Sequence, residues 1–246
     1  MDKHFYIMEK RNGVVIDDKL PNQFEDTENT CQQISEAVIQ SLVQLQKVDY
    51  QKEHLESIGK PDGYLSRQVY GWIKRHERSK TEEIKYIDSV EKWLMDHIPS
   101  NEEVTIVHND FKLNNMMFDP QNPDTVIGVF DWELATIGDP LADLGSALVY
   151  WIEKDDPPLG ITSVTDKPGF YSRRALLERY TQLTGRDVSN INFYLTLGFY
   201  KLAGILQQLY YRWKIGEVKD DRFAFLNVGV ANLIARAEDA KNNKLL

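Results

Sequence analysis

The sequence predicts an α+β fold, mainly helical, in which one small β-hairpin interrupts a succession of helices. Two observations carry this expectation. Apolar residues recur at helical spacing through most of the 246 residues, and between Val104 and Phe130 short β-branched runs break that rhythm. The composition, 42% hydrophobic and 27% charged, is that of an ordinary globular protein rather than a disordered or fibrous one. No internal repeat, low-complexity tract or interdomain linker divides the chain, so one domain over residues 1–246 is expected.

Taken in order, residues 5–8 form a short apolar strand candidate, closed by a turn near Asn12-Gly13. Residues 21–30 are polar and carry capping side chains. Ile34, Val38, Leu42 and Leu45 mark a helix over residues 31–47. After a Gly59-Lys60-Pro61-Asp62-Gly63 loop come Trp72, Ile73 and a basic stretch. A second helix follows over residues 84–97, with Ile87, Val90, Trp93 and Leu94 on one side and Pro99 ending it. Residues 104–107 read as a strand. Residues 116–118 and 126–130 read as hairpin arms, with Pro120 and Pro123 in the connection. Asp139 before Pro140 is a helix start, an N-cap acceptor with proline at the first helical position. Helices are expected over 173–184, 193–214 and 223–241.

The net charge of -9 argues against a general nucleic-acid or anionic-membrane binder. Cys31 is the sole cysteine, so it forms no internal disulfide, and its helical setting reads as a buried structural thiol. The first residues begin no signal peptide. The longest apolar run, 195–209, is interrupted by Lys201 and is too polar to span a bilayer. A cytoplasmic compartment is expected.

The chemistry concentrates in His108-Asn109-Asp110-Phe111-Lys112-Leu113-Asn114-Asn115, followed after the hairpin by Phe130-Asp131-Trp132-Glu133. Phosphoryl transfer from ATP needs few protein groups: a carboxylate beside the attacking hydroxyl and oxygen ligands that hold Mg²⁺ on the phosphates. Asp110 suits the first role. Asn115 and Asp131 are hard oxygen donors suited to the second, with Asn114 separated from Asn115 only by spacing. Lys112 either neutralises a transferring phosphoryl group or is a solvated surface lysine. His108 reads as a packed imidazole that braces the loop. Asp139 is expected to cap a helix, and Asp143 to hold the loop backbone. Trp132 and the stripe Phe193, Tyr194, Phe199, Tyr200 and Tyr210 read as core. Lys201 is expected to point into a polar pocket.

In these residues the chain resembles the aminoglycoside phosphotransferase and choline-kinase-like superfamily, whose catalytic lobe is related to that of protein kinases. The loop His108 to Asn115 carries the H-x-D-x-x-x-x-N spacing, and Asp131-Trp132-Glu133 is similar to the D-F-G element. The run from Phe130 to Leu144, with Gly59 to Leu65, is similar to the branch associated with acyl-CoA dehydrogenases. The resemblance implies a catalytic C-terminal lobe of a protein-kinase-like fold. Asp110 would be the base, Lys112 the catalytic-loop lysine, and Asn115 and Asp131 the Mg²⁺ ligands. Residues 5–9 resemble the hinge strand, where Met8, Glu9 and Lys10 would meet adenine. On that alignment residues 1–246 are expected to start at the hinge, with the nucleotide-binding lobe absent. The implied activity is transfer of the γ-phosphoryl group of ATP to a small hydroxylated molecule, a hydroxyacyl-CoA or an aminoglycoside-like compound. A separate lobe polypeptide or a homo-oligomer would be the partner. The alternatives are a non-catalytic interaction module and, last, a metal-dependent phosphohydrolase.

Overall fold

The computed structural model describes residues 9–100 and 103–246. The strand expected over residues 5–8 lies outside the described residues. The architecture is mainly helical α+β, with small antiparallel sheets set among the helices.

Helix α1 spans Glu28–Gln46 and opens at Thr27, whose hydroxyl accepts the Thr30 N–H at 3.2 Å. Helix α2 spans Tyr64–Ser79. Sequence signals do not announce this helix, because its entry residue, Gly63, is a left-handed glycine rather than a side-chain cap. Helix α3 spans Ile87–Asp96. Helix α4 spans Pro140–Tyr150 and begins as expected, with Asp139 Oδ1 accepting the Leu141 N–H at 2.8 Å. Helix α5 spans Arg173–Thr184, between a Ser172 cap and a left-handed Gly185. Helix α6 spans Ile191–Lys214 and α7 spans Leu226–Lys241.

Helix α6 is the axis of the core. Its apolar side chains are buried nearly all round, from Ile191 through Phe199 to Tyr210, and α7, α4 and α2 pack against it. The expected aromatic stripe is therefore core. Cys31 is likewise buried and free. Helix α4 crosses α6 closely, because Gly145 and Gly198 face each other. A Cβ on Gly145 would come within 2.7 Å of the Tyr194 backbone, and one on Gly198 within 3.1 Å of the Gly145 carbonyl.

Strand β1 (Val14–Val15) pairs with β3 (Met116–Asp119), which pairs with β4 (Asn122–Val129). The hairpin is thus as expected, with one correction: Pro123 lies within β4 rather than in the connection. The sheet order β1-β3-β4 makes β4 an edge strand, where a missing N–H costs no ladder bond. Strand β2 (Thr105–Val107) pairs antiparallel with β5 (Thr136–Gly138). Neither β1 nor β5 was expected, since two or three residues carry no periodic signal.

Candidate active site

Strand β2 delivers His108 into a loop whose backbone is held from below. Asp143, one turn into α4 and fully buried, accepts the N–H groups of His108 at 2.5 Å and Asn109 at 2.6 Å. Burial pushes its carboxyl up, and these two bonds pull it back. The His108 ring is buried and spans the loop. Its Nε2 lies 2.7 Å from the Phe130 carbonyl, which can only accept, so that nitrogen carries the proton. Nδ1 then accepts the Asp110 N–H at 3.3 Å. Both residues brace the loop as expected from the sequence. Lys201 reaches from α6 to donate to the Asn109 carbonyl, and burial lowers its pKa. It points into a polar pocket, as expected.

Three polar groups converge on Asp110, whose side chain is only 15% exposed. Asn115 Nδ2 donates to its carbonyl and to Oδ2, both at 2.9 Å. Lys112 Nζ lies 2.9 Å from the same Oδ2 and its side chain is 23% exposed, so it is not a freely solvated surface lysine. Tyr150, in the last turn of α4, packs against this pair, with its ring centroid 5.0 Å from Lys112 Nζ. Burial, and then the Asp110 charge, push the Tyr150 phenol up. Sequence reasoning missed Tyr150. The available signal was its spacing from Asp143: seven residues are two helical turns, so both residues face the loop.

The hairpin brings Asn115 and Asp131 to one end. Asn115 closes a 3-10 turn, and its carbonyl accepts the Phe130 N–H at 2.8 Å, extending the Met116↔Val129 pairing by a rung. Asp131 follows at φ 64°, ψ 54°, and turns the exposed chain into a second 3-10 turn, Trp132–Leu134. Because Asn115 Nδ2 is engaged with Asp110, its Oδ1 is the atom left for a ligand. Neighbouring Asn114 is exposed and instead approaches Asp17 at 3.5 Å, so geometry separates the two asparagines. An amide oxygen and a carboxylate form a sparse, hard donor set. It fits a cation such as Mg²⁺ that keeps several waters and phosphate oxygens, not one needing an all-protein cage.

Trp132 corrects the sequence reading. It is 45% exposed rather than core. Its ring lies 4.8 Å from His108, and its indole N–H donates to the Val129 carbonyl at 2.8 Å. Met8 lies outside the described residues. Glu9 and Lys10 are exposed, Glu9 pairs with Arg11 at 2.8 Å, and neither lines the cavity beside Asp110.

That cavity, about 750 Å³, opens beside Lys112 and Tyr150. Phe111, Trp151, Leu159 and Phe223 form much of its apolar wall. The wall segment around Gly160 is pressed onto α7, where a Cβ on Gly229 would lie 2.8 Å from Gly160 Cα. Behind it the buried Arg173 guanidinium binds Asp156 at 2.5 Å and Glu153 at 3.3 Å, and Arg236 reaches Asp156 at 3.1 Å. Among the described residues, no helix is long and apolar enough to cross a membrane.

Comparison with known proteins agrees with this fold. Residues 2–176 match the phosphotransferase enzyme family. Acyl-CoA dehydrogenase family member 11 of Homo sapiens is 34% identical over 229 residues, covering 91% of this chain but only 29% of that protein. A solved structure of a proposed aminoglycoside phosphotransferase from Ralstonia eutropha JMP134 superposes with a TM-score of 0.83 at 29% identity, covering 96% of this chain and 72% of that one. Choline kinase from Cryptosporidium parvum Iowa II shares the fold, with a TM-score of 0.59 at 13% identity, over 97% of this chain and 71% of its own. The chain spans less than a third of the length of the curated relative and nearly three quarters of the solved phosphotransferase. By the extent of the family match, this chain belongs to the phosphotransferase enzyme family.

Proposed function

We propose that residues 1–246 form the catalytic, acceptor-binding lobe of an ATP-dependent phosphotransferase that acts on a hydroxyl of a small molecule. The observation that carries this reading is the convergence of Asn115 and Lys112 on one oxygen of Asp110, with Lys112 also on the wall of an open cavity. Asp110 would accept the proton of the acceptor hydroxyl as that oxygen attacks the γ-phosphorus. The new phosphorus–oxygen bond forms as the bond to the β-phosphate oxygen breaks, and ADP leaves. Lys112 would offset charge on the transferring group. Asn115 Oδ1 and Asp131 would hold Mg²⁺, which when bound neutralises phosphate charge and fixes phosphate orientation. Met8, Glu9 and Lys10 would meet the adenine along the segment that leads into β1.

The cavity favours one of the two acceptor classes. Its wall is largely apolar; its ionic side chains are Asp17, Lys112, which is paired with Asp110, and Arg222, which is paired with Asp220. A polycationic aminoglycoside would find few acids there, whereas a hydroxylated acyl thioester carries an apolar body and an anionic end. The relative named as an acyl-CoA dehydrogenase family member points to the same acceptor chemistry.

The test is direct. Mg·ATP should raise the melting temperature of this chain, and Asp131→Ala should abolish the rise. Phosphate transfer to a hydroxyacyl-CoA panel, followed by mass spectrometry, should vanish in Asp110→Asn while its melting temperature stays near wild type. Absence of any Mg·ATP response, both in this chain and in one lengthened at its N-terminus, would leave the interaction module. Phosphate release from monoesters without nucleotide would favour the hydrolase.

A further inference from the structure

Asn109 stands between the brace residue His108 and Asp110 with its backbone in the left-handed region, at φ 65°. Every polar group of this residue is engaged, each by a different part of the fold. Its N–H goes to Asp143 of α4, and its carbonyl accepts from Lys201 of α6. Its Oδ1 accepts the Tyr64 hydroxyl of α2 at 2.6 Å. Its Nδ2 donates to the Leu134 carbonyl at 2.9 Å, at the end of the turn that Asp131 opens. Gly138 makes the Tyr64 contact possible, since a Cβ there would come within 2.7 Å of the Tyr64 ring.

From these contacts we infer that Asn109 is a positioning residue that ties the loop bearing Asp110 to the turn bearing Asp131. The two carboxylates stand on different strand connections, which the Val107↔Thr136 pairing of β2 with β5 and the His108 bond to the Phe130 carbonyl already bring together. The Asn109 amide adds a second side-chain link, at the far end of the turn: Asp110 is the next residue along the chain, and Leu134 closes the three-residue turn that follows Asp131. The Tyr64 bond orients the amide, because an Oδ1 that accepts from Tyr64 turns Nδ2 toward Leu134. The backbone bonds to Asp143 and Lys201 keep the loop in place without the side chain. The amide is therefore free to serve registration between the loops rather than the fold of either. The role of Asp131 toward Mg·ATP rests on the function proposed above; the bridge itself does not.

Asn109→Gly isolates the bridge, because glycine adopts the left-handed backbone freely and loses both side-chain bonds. Tyr64→Phe is the control, since it removes the orienting bond but leaves the bond to Leu134 able to form. Hydrogen exchange of the Ala135 amide, which closes the 132–134 turn on the Trp132 carbonyl, is read without ligand. Asn109→Gly should speed that exchange about fivefold, the factor one neutral hydrogen bond supports, while Tyr64→Phe leaves it within about twofold. With Mg·ATP, Asn109→Gly should need several-fold more Mg²⁺ for half of the thermal stabilisation. Unchanged exchange in Asn109→Gly, or an equal rise in both variants, would overturn the bridge. Faster exchange in Asn109→Gly alone, in a wild-type protein that ignores Mg·ATP, would support the bridge and remove the phosphotransferase reading instead.

Discussion

Asp143 shows how much a single buried carboxylate does in this site. Two adjacent N–H groups point at its two oxygens, at 2.5 and 2.6 Å, and the carboxylate itself is fully buried. Asp143→Asn puts an amide nitrogen where one acceptor was and leaves a buried donor facing another donor. That should cost about 2 kcal/mol, within the range for an unsatisfied buried donor, and a urea unfolding midpoint would measure it. The sequence showed this residue well, since a first-turn aspartate after an Asp-Pro cap has little else to bind. It showed Asp110 and Asn115 through spacing. It did not show Tyr150, whose relation to Asp110 depends on where α4 lies, and it placed Trp132 wrongly. An aromatic beside a strand usually signals core, but here the left-handed Asp131 turns the chain outward before the ring can be buried.

The element that sets the site is the close crossing of α4 on α6. Gly145 and Gly198 let the two backbones touch, and that contact brings Asp143 and Tyr150 of one helix and Lys201 of the other beneath the same loop. Gly145→Ala would drive a methyl group into the Tyr194 backbone at 2.7 Å. The helices would have to part, at about 1–3 kcal/mol by the usual cost of overpacking. The melting temperature should fall, and exchange at the His108 and Asn109 amides should quicken more than exchange in α7. Periodicity gave α1, α5 and α6 within a few residues, because their apolar stripes are long. It could not give the crossing, since a glycine that permits contact leaves the same sequence trace as one that merely breaks a helix.

Across the whole molecule, ionic groups contribute by depth rather than by number. Arg173 is 1% exposed and closes the Asp156–Glu153–Arg236 cluster. Arg173→Met would strand Asp156 with one partner and should cost about 3 kcal/mol, as breaking buried pairs does. Lys92→Ala, which removes an exposed pair with Asp96, should leave the unfolding midpoint unchanged. A second whole-molecule effect runs through His76, which packs between Glu91 and Tyr200 with Nε2 unpartnered. Burial holds its pKa below the ordinary 6.5. Below that value the unfolded chain binds a proton the folded protein refuses, so stability falls as the pH drops through about 6.5. Glu91, whose carboxyl burial raises, acts in the opposite sense, above its ordinary 4.5. Denaturant unfolding at each pH should give a shallower slope in His76→Gln over the upper window.

The clamp around Arg173 and the contact between Gly160 and Gly229 anchor the cavity wall from behind, on α5 and α7. The cradle of Asp110 hangs on α2, α4 and α6. The two share α4, through the Arg173 Nε bond to the Leu148 carbonyl at 2.9 Å, but otherwise draw on different supports, which gives the molecule an evolutionary latitude. Were the cavity the acceptor site, substitutions at Ile161, Thr162 and Ser163 on its wall would change which molecule is admitted with little effect on the geometry that would act on it. On the proposed function, a lineage carrying this lobe could exchange one acceptor for another by drift in a single stretch of chain, while its chemical step stayed under unchanged selection.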